Sequence, residues 1–333
     1  MIDYKSIDTY IDTLGLRCVC YSEYDRNSLF NKIITFITER HIVGILYDTK
    51  NSNSYYQITK LQFANSTLAT ISKGYFQQTS ESGYRAEYYY ININFYGLMR
   101  YSRIKDDASR LLIQTISAYL NTNKIYFRLT ELDIAMDIKS KPKNILAVCT
   151  KPTAHISYFQ LGDKDKNGNT IQKNDGTYYI EKFDTHKQKK NAMSRAYIYD
   201  KRKKELDKFK RDIGFNLTRF ELKLQKRFFV KNKYSGSVMD KALQKYTVLY
   251  FKDIEQKKLF IHRYNSATTS KKRKEVVSAV RESNNALVLT PKLNNVYSFL
   301  REIDSITFDT QGNFKYVKHE DYLYGLSKFN RKY

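Results

Sequence analysis

Three short runs of the sequence carry residue types that could act on phosphate. They are 131–137 (ELDIAMD), 194–201 (SRAYIYDK) and 218–223 (TRFELK). In each run apolar and polar residues alternate with a period of two, which predicts a strand with one face on a core and the other in polar surroundings. If the three strands neighbour one another in a sheet, they gather carboxylates, arginines and tyrosines on one surface. That composition suits metal-assisted chemistry on phosphate.

The carboxylates of these runs are candidate metal ligands. Glu131 and Asp133 lie two residues apart on one strand, about 6.5 Å from each other and on the same face. With Glu221 from a neighbouring strand they could bind Mg²⁺ or Mn²⁺, which prefer oxygen ligands. Asp137 lies about 13 Å from Asp133 along the strand, which favours a structural or supporting role.

The same acids have a purely structural alternative, in which basic residues neutralise them across the sheet. The basic residues available for this are Arg195, Arg219 and Lys223. The alternating sequence pattern favours neither a metal site nor ion pairs over the other.

Tyr199 is a candidate nucleophile. A tyrosine attacks a phosphodiester when its phenol is polarised and when cations neutralise the phosphate. Tyr199 shares a strand face with Arg195 and is followed closely by Lys201. The chain has 30 tyrosines, so a tyrosine chosen blindly is far more often a packing residue, and the assignment depends on its context.

The composition indicates a polyanionic partner. The 333 residues contain 58 Lys and Arg against 34 Asp and Glu, a net charge of +24. Basic residues bind phosphates with release of counterions, and abundant tyrosines can stack on unpaired bases. An A/T-rich genome would also enrich Tyr and Lys, but it enriches Asn as readily as Lys and does not by itself force this charge.

The remaining composition excludes several classes of protein. Three cysteines, Cys18, Cys20 and Cys149, are too few and too irregularly spaced for a disulfide framework or a zinc site, so we expect buried thiols. The five histidines form no paired motif. No apolar run approaches the length of a membrane span, and the first residues do not resemble a signal peptide, so we expect a cytoplasmic protein.

The surrounding pattern predicts the elements that would position the three runs. The predicted helices cover 6–14, 28–39, 104–119, 142–148, 201–213, 237–251, 271–282 and 293–303. Further predicted strands cover 17–22, 43–48, 55–63, 84–97 and 155–160, the last of which lies outside the residues that the structure describes. Residues 187–211 carry eleven Lys or Arg against three acids, which would place a basic surface beside the second run.

The order of these motifs resembles the replication initiation factor (Rep_trans) family. The resemblance rests on LDIAMD at 132–137, YIYDK at 197–201 and RFELK at 219–223, and it covers roughly 85–225. The family comprises rolling-circle plasmid initiators, related phage initiators and some conjugative relaxases. Each motif is short, and their order and spacing make the combination moderately specific.

The resemblance implies a DNA nicking and joining enzyme. Its tyrosine, which corresponds to Tyr199, would join the 5′ phosphate and leave a 3′ hydroxyl as a primer, with Mg²⁺ or Mn²⁺ held by Asp133 and Glu221. Glu131 stands where family members often have arginine. It would therefore either act as a third metal ligand or make the local charge more negative than in the family. Tyr197 lies four residues before Lys201, as in other nicking enzymes, and is the second choice of nucleophile.

The resemblance also implies a fold and partners, and the helical pattern after Val230 predicts a division of the chain. We expect an α+β fold with a central antiparallel sheet flanked by helices, distantly related to the His-hydrophobic-His endonucleases. Residues 1–230 would form the catalytic domain, and 231–333 a smaller helical domain for DNA binding or dimerisation. The phosphate contacts would come from Arg195 and Lys201 at the nucleophile and from Arg219, Lys203, Lys204 and Lys223 around it.

The expected partner is origin DNA, single-stranded or in a hairpin at the nick site. A host helicase and polymerase, and a second copy of the chain, are further expected partners. A conjugative relaxase of the same family and an origin-binding initiator that does not cut are the alternatives. A tyrosine recombinase is disfavoured because the required set of arginines, histidine and late tyrosine is not found.

Overall fold

The chain has a mixed α+β fold with a large antiparallel sheet flanked by helices, as the sequence predicts. The computed structural model describes residues 4–40, 43–48, 58–63, 66–79, 85–99, 101, 103–125, 127–149, 177–180, 192–231, 238–283 and 285–303.

The strands alternate with helices along the chain. They are β1 (Tyr4–Cys20), β2 (Gly44–Asp48), β3 (Ile58–Phe63), β4 (Ser66–Thr79), β5 (Arg85–Tyr96), β6 (Phe127–Ile138), β7 (Ile145–Cys149), β8 (Thr177–Tyr179), β9 (Ser194–Asp200), β10 (Thr218–Gln225), β11 (Tyr246–Phe251) and β12 (Ala286–Lys292). The helices are α1 (Glu23–Thr38), α2 (Arg103–Thr122), α3 (Lys201–Phe209), α4 (Lys226–Lys231), α5 (Val238–Leu243), α6 (Ile254–Ser266), α7 (Ser270–Glu282) and α8 (Asn294–Glu302).

The described chain forms two compact units, neither of which is continuous in sequence. Unit 1 contains 1–10, 133–228 and 237–296, and unit 2 contains 11–132, 229–236 and 297–333. Two long strands, β1 and β6, contribute residues to both units.

Unit 2 is a sheet in the order β2-β3-β4-β5-β1-β6 with helices on it. Helix α1 begins at the N-cap Ser22, whose hydroxyl accepts a hydrogen bond from the Asp25 amide at 3.0 Å. It buries Phe30, Ile33, Ile34 and Ile37, whose spacing places them on one helical face. This apolar stripe forms the core of unit 2 with the inward residues of β4 and β5.

Unit 1 contains two groups of strands. One group has the order β6-β10-β9-β8 and carries the three runs identified above. In the other, β11 lies between β7 and β12, and β12 pairs in parallel with the start of β1. Helices α6 and α7 pack on this second group through Phe260, Tyr264 and Val277. The buried Tyr264 hydroxyl donates to the Cys149 carbonyl, so the helix pair is tied to β7.

Most predicted elements are confirmed, and three predicted helices are wrong. The helix predicted at 142–148 is a short 3-10 turn at Pro142–Asn144 followed by β7, because the apolar run ILAVC forms a fully buried strand. Residues 6–14 belong to β1 instead of a helix, because the β-branched residues at alternate positions favour an extended chain with alternating burial. The helix predicted at 237–251 ends at Leu243, and the β-branched and aromatic run that follows forms β11. The three cysteines are buried free thiols, as expected.

The predicted boundary at residue 230 does not coincide with the two units. The segment 238–303 contains β11 and β12 besides its helices, and most of it belongs to unit 1 together with the three runs. The functional division between 1–230 and 231–333 stays a prediction. No helix in the described ranges is long and apolar enough to cross a membrane.

Gly74 in β4 provides a test of the packing of unit 2. A Cβ atom at this position would lie 2.0 Å from Cε2 of Tyr90, and the Arg17 guanidinium lies 3.9 Å from the centroid of the same ring. We expect Gly74→Ala to lower the free energy of unfolding by about 1–3 kcal/mol, because the ring must move and lose this contact. Urea denaturation measures the change.

Gly44→Ala is the matched control. A Cβ atom there would lie 3.7 Å from its nearest neighbour, the Gln62 carbonyl oxygen, which is an ordinary contact. We expect no loss of stability from this variant. Equal unfolding free energies for the two variants would contradict the close packing of Tyr90 on Gly74.

Candidate active site

The pairing of β9 with β10 assembles the centre of the site. The strands are antiparallel and place Arg195 opposite Lys223, Tyr197 opposite Glu221, and Tyr199 opposite Arg219. Directly opposed residues of an antiparallel pair lie on the same face. The alternating polar residues of the second and third runs therefore share one face, as the sequence predicts if these strands are neighbours.

Glu221 binds both tyrosines of the second run. The Tyr199 hydroxyl donates to Oε2 of Glu221 at 2.9 Å, and the Tyr197 hydroxyl donates to Oε1. The two rings are stacked with centroids 6.1 Å apart. One carboxylate thus orients two phenols, with one oxygen for each.

The two phenols have different electrostatic surroundings. Burial, followed by the negative charges of Glu221 and Asp133, raises the pKa of Tyr197 well above the usual value of a phenol. The Lys204 ammonium lies 4.0 Å from the centroid of the Tyr199 ring. Tyr199 therefore has a cation over its ring in addition to the Glu221 carboxylate at its hydroxyl.

The first run supplies two ion pairs from β6, which neighbours β10. Asp133 Oδ2 lies 3.2 Å from Lys223 Nζ. Asp137 binds Arg219 with two parallel hydrogen bonds, of 2.6 Å from Nε and 2.7 Å from Nη2. The ion pairs that the sequence offered as the alternative to a metal site are therefore formed by Asp137 and, in part, by Asp133. Asp137 has the supporting role that the sequence predicts.

Helix α3 continues directly from β9 and is fixed at its start. Asp200 is the N-cap and accepts from the Lys203 amide at 2.9 Å. Within the helix, Lys201 Nζ lies 2.7 Å from Glu205 Oε1, and from just beyond the helix end Arg211 Nη2 lies 2.7 Å from Glu205 Oε2. These buried charges hold the helix at the end of β9 and so position Lys204 over Tyr199.

The structure brings several of the predicted residues together. Glu221 and Asp133 both lie close enough to Tyr197 for their negative charges to raise the pKa of its phenol. The residues assembled around the two phenols are Asp133, Arg195, Lys204, Glu221 and Lys223. Lys203 is exposed on α3. The site is more buried than the sequence suggests, since Tyr199 is 1% exposed and Glu221 is 3% exposed.

Three predicted residues have surroundings that differ from those expected. Arg219 is fully buried with Asp137, so its guanidinium does not lie at a surface where DNA could reach it. Lys201 is buried with Glu205 and holds α3 in this arrangement. Glu131 belongs to unit 2, and within the described part of the chain no three His, Cys, Asp or Glu side chains are grouped so that they could hold a metal ion.

Two carboxylates remain as the possible metal ligands of this site. Asp133 and Glu221, with the adjacent phenols, form an all-oxygen donor set, which is the chemistry that Mg²⁺ and Mn²⁺ require. Both Glu221 oxygens already accept from the phenols and Asp133 is paired with Lys223, so the binding of an ion by these two residues stays a prediction.

Sequence reasoning missed the double hydrogen bond to Glu221 and the position of Lys204. The period of two does place Tyr197 and Tyr199 on one face, which is the signal for a shared partner. It does not give the partner, because the residues of the loop and helix between β9 and β10 leave the register of the two strands undetermined.

The Arg219–Asp137 pair gives a prediction on stability. We expect Arg219→Met to lower the free energy of unfolding by about 3–5 kcal/mol, because it leaves the Asp137 carboxylate buried without its cation. The double variant Arg219→Met with Asp137→Leu should regain most of the loss. Urea denaturation of both variants measures this.

The exposed pair of Arg202 with Asp212 is the control, since it has the same bidentate geometry at the surface. Arg202→Met should change stability far less. An equal loss from Arg202→Met and Arg219→Met would contradict the buried pair.

Glu205 gives a prediction on pH. Burial acts to raise the pKa of Glu205, but Lys201 and Arg211 outweigh it, and the pKa lies below the ordinary 4.5. A carboxylate with a lowered pKa in the folded state contributes stability above its ordinary pKa, and this contribution is lost as the pH falls. We expect the stability difference between the wild type and Glu205→Gln to shrink below pH 4.5, as measured by denaturation across the acid range. A difference that is constant with pH would contradict the ion pairs.

Comparison with known proteins does not assign a family to this geometry. No protein-family model matches the sequence, and no curated protein shows significant similarity to it. A function for the chain therefore follows from the residues of the site.

Proposed function

We propose that the protein is a DNA nicking and joining enzyme that initiates rolling-circle replication of a plasmid or phage. The observation that carries this proposal is the hydrogen bonding of two tyrosine hydroxyls to the single buried carboxylate of Glu221. A carboxylate that holds a phenol can accept its proton as the phenol oxygen attacks phosphorus. The resemblance of the three runs to the replication initiation factor family supports the choice of DNA as the substrate.

Glu221 is the carboxylate that accepts hydrogen bonds from the two phenols. Asp133 is instead paired with Lys223, Asp137 with Arg219, and Glu205 with two cations. The hydrogen bonds that Glu221 accepts from the two phenols come from neutral groups. Proton transfer to Glu221 from Tyr199 thus follows an existing hydrogen bond.

In the proposed reaction, Tyr199 is the nucleophile. Because its side chain is 1% exposed, a phosphate reaches its hydroxyl only if the side chains around it move. Its phenol oxygen forms a bond to phosphorus while the bond from phosphorus to the 3′ oxygen breaks. The phenol proton passes to Glu221 and from there to the departing 3′ oxygen, which leaves as the hydroxyl that primes synthesis. Lys204, Lys203 and Arg195 would neutralise the phosphate, and the contact of Lys204 with the Tyr199 ring and the exposure of Lys203 support this assignment.

A divalent ion is part of the proposal. Asp133 and Glu221 would hold Mg²⁺ or Mn²⁺, and the ion would neutralise charge on the attacked phosphate. Arg219, Lys201 and Lys223 support this site through the ion pairs that they make with Asp137, Glu205 and Asp133.

The wider expectations belong to the same proposal. We propose that the fold is distantly related to that of the His-hydrophobic-His endonucleases. The protein would act in the cytoplasm on origin DNA, together with a host helicase and polymerase. The exposed Lys271, Lys272 and Lys274 at the start of α7 add to the positive charge of unit 1 and suit phosphates of the bound DNA. A relaxase of a conjugative element would use the same chemistry.

A second candidate is an initiator that binds its origin without cutting. The burial of Tyr199 favours it, because a phenol inside a paired polar network also serves as a packing residue. The two candidates differ in whether the protein forms a covalent bond to DNA.

The test is a covalent adduct. Supercoiled DNA carrying the coding region of the protein and its flanks is incubated with protein and Mg²⁺ or Mn²⁺, and protein-linked DNA is detected after denaturation. We expect an adduct from the wild type and none from Tyr199→Phe, because phenylalanine keeps the ring but has no attacking oxygen. DNA binding by Tyr199→Phe should persist.

Tyr178→Phe is the matched control. Tyr178 lies on β8 opposite Ile198, and therefore on the other face from Tyr199, so this variant should form the adduct at the wild-type yield. DNA binding without any adduct from the wild type would favour the second candidate. An undiminished adduct from Tyr199→Phe would exclude Tyr199 as nucleophile.

A further inference from the structure

Helix α3 and the segment that follows it carry exposed apolar side chains. Leu206 and Phe209 are each 47% exposed, and Phe215 is 36% exposed. Leu206 and Phe209 lie three residues apart in the helix, so their side chains are neighbours on one face. Protein surfaces rarely expose grouped apolar side chains, and those that do commonly bind a partner there.

Hydrogen bonds hold the segment after α3 alongside the helix. The Asp212 carboxylate accepts one hydrogen bond from Nε and one from Nη2 of Arg202, each of 2.8 Å, and Arg202 lies in the first turn of α3. The Lys201 amide donates to the Leu217 carbonyl at 2.8 Å. Phe215 lies between Asp212 and Leu217 in the sequence, so it is held near the start of α3.

Three exposed lysines accompany the three apolar side chains. Lys203 lies three residues before Leu206 and neighbours it on the helix, and Lys210 directly follows the next apolar residue of that face. The Lys139 ammonium lies 5.8 Å from the centroid of the Phe215 ring. These six residues are called the α3 surface: Lys139, Lys203, Leu206, Phe209, Lys210 and Phe215.

Aromatic rings beside cations match the chemistry of an unpaired nucleic-acid strand. The flat faces of unpaired bases stack on such rings, while ammonium groups bind the phosphates between them. A duplex keeps its base faces inside its own stack and offers only phosphates and groove edges. A membrane surface needs a broad apolar face, whereas the nine residues of α3 expose two apolar side chains, Leu206 and Phe209.

We infer that the α3 surface binds single-stranded DNA, with bases stacked on Phe209 and Phe215 and with phosphates at the three lysines. Rings and lysines contact groups that DNA and RNA share, and the choice of DNA rests on the proposed function. The binding itself needs neither cleavage nor a divalent ion. Because α3 begins two residues after Tyr199, the bound strand would lie beside the candidate active site.

The experiment measures binding by fluorescence anisotropy in EDTA, so that no cleavage takes place. The probes are a short labelled oligothymidylate, an abasic strand of the same length and an oligouridylate. The abasic strand keeps the phosphates but has no bases to stack, so the ratio of the affinities for oligothymidylate and abasic strand reports the stacking. Sedimentation with vesicles of phosphatidylserine and phosphatidylcholine tests a membrane as the alternative partner.

We expect the wild type to bind oligothymidylate more tightly than the abasic strand. Phe209→Leu and Phe215→Leu should each lower the affinity for oligothymidylate by about tenfold, the effect of losing one stacked base, and leave the abasic strand unaffected. Phe209→Tyr should bind as the wild type, because tyrosine keeps a ring for stacking.

Two further variants separate phosphate contacts and general exposure from stacking. Lys203→Gln should weaken the binding of both strands and lower the slope of log K against log salt by about 0.7, since one phosphate contact is lost. Tyr24→Leu is the matched control, because Tyr24 is 80% exposed on α1 in unit 2, and it should change neither affinity. Circular dichroism melting shows that each variant is folded.

Four results would overturn the inference. They are equal wild-type affinities for oligothymidylate and the abasic strand, Phe209→Leu and Phe215→Leu variants that keep the wild-type preference, tighter binding of oligouridylate than of oligothymidylate, and a Phe209→Leu variant that loses only vesicle binding. A wild type that forms no covalent adduct but shows the expected base preference would refute the proposed nicking and leave this binding site in place. The two failures are therefore distinguishable.

Discussion

The buried carboxylate of Glu221 is the constraint on which the rest of the site depends. A charged group withdrawn from water is costly unless its hydrogen-bonding capacity is satisfied. Two phenols satisfy it here, and this fixes the orientation of both rings on β9. The arrangement that makes Glu221 tolerable in the fold is also the one that places a proton acceptor on each phenol. Stability and the proposed chemistry therefore have the same origin.

The remaining buried charges around Glu221 are neutralised in pairs. Arg219 with Asp137, Lys223 with Asp133, and Lys201 and Arg211 with Glu205 surround the two phenols. Buried pairs of this kind add little net stability over an apolar core, but loss of one partner is expensive. The first two pairs join β10 to β6, and the contacts of Glu205 lie within α3 and just after it. Three of the six cationic residues that the sequence predicts to contact DNA, Arg219, Lys223 and Lys201, are therefore held in ion pairs, whereas Lys203 is exposed.

The division of charge between the interior and the surface also explains how a chain of net charge +24 can fold. The site pairs its buried cations with carboxylates, and the excess positive charge lies on exposed positions such as the first turn of α7. Such a surface attracts phosphate at long range, independently of the buried site. If the protein nicks DNA as proposed, substitutions on this surface and substitutions in the buried site should have separable effects on binding and cutting.

The sequence by itself determined the local features of this protein. Alternation with a period of two fixed the strands β6, β9 and β10 and the face of each polar residue, because side-chain direction in a strand is a local property. The same reasoning failed at 6–14, where β-branched residues outweighed a weak helical spacing, and beyond Leu243, where a β-branched and aromatic run formed a strand. The tertiary structure alone decided which strands adjoin and in what register. That register pairs Tyr197 with Glu221 across the β9–β10 ladder. The register and the burial of these two residues depend on packing between residues far apart in the chain, which no local sequence pattern records.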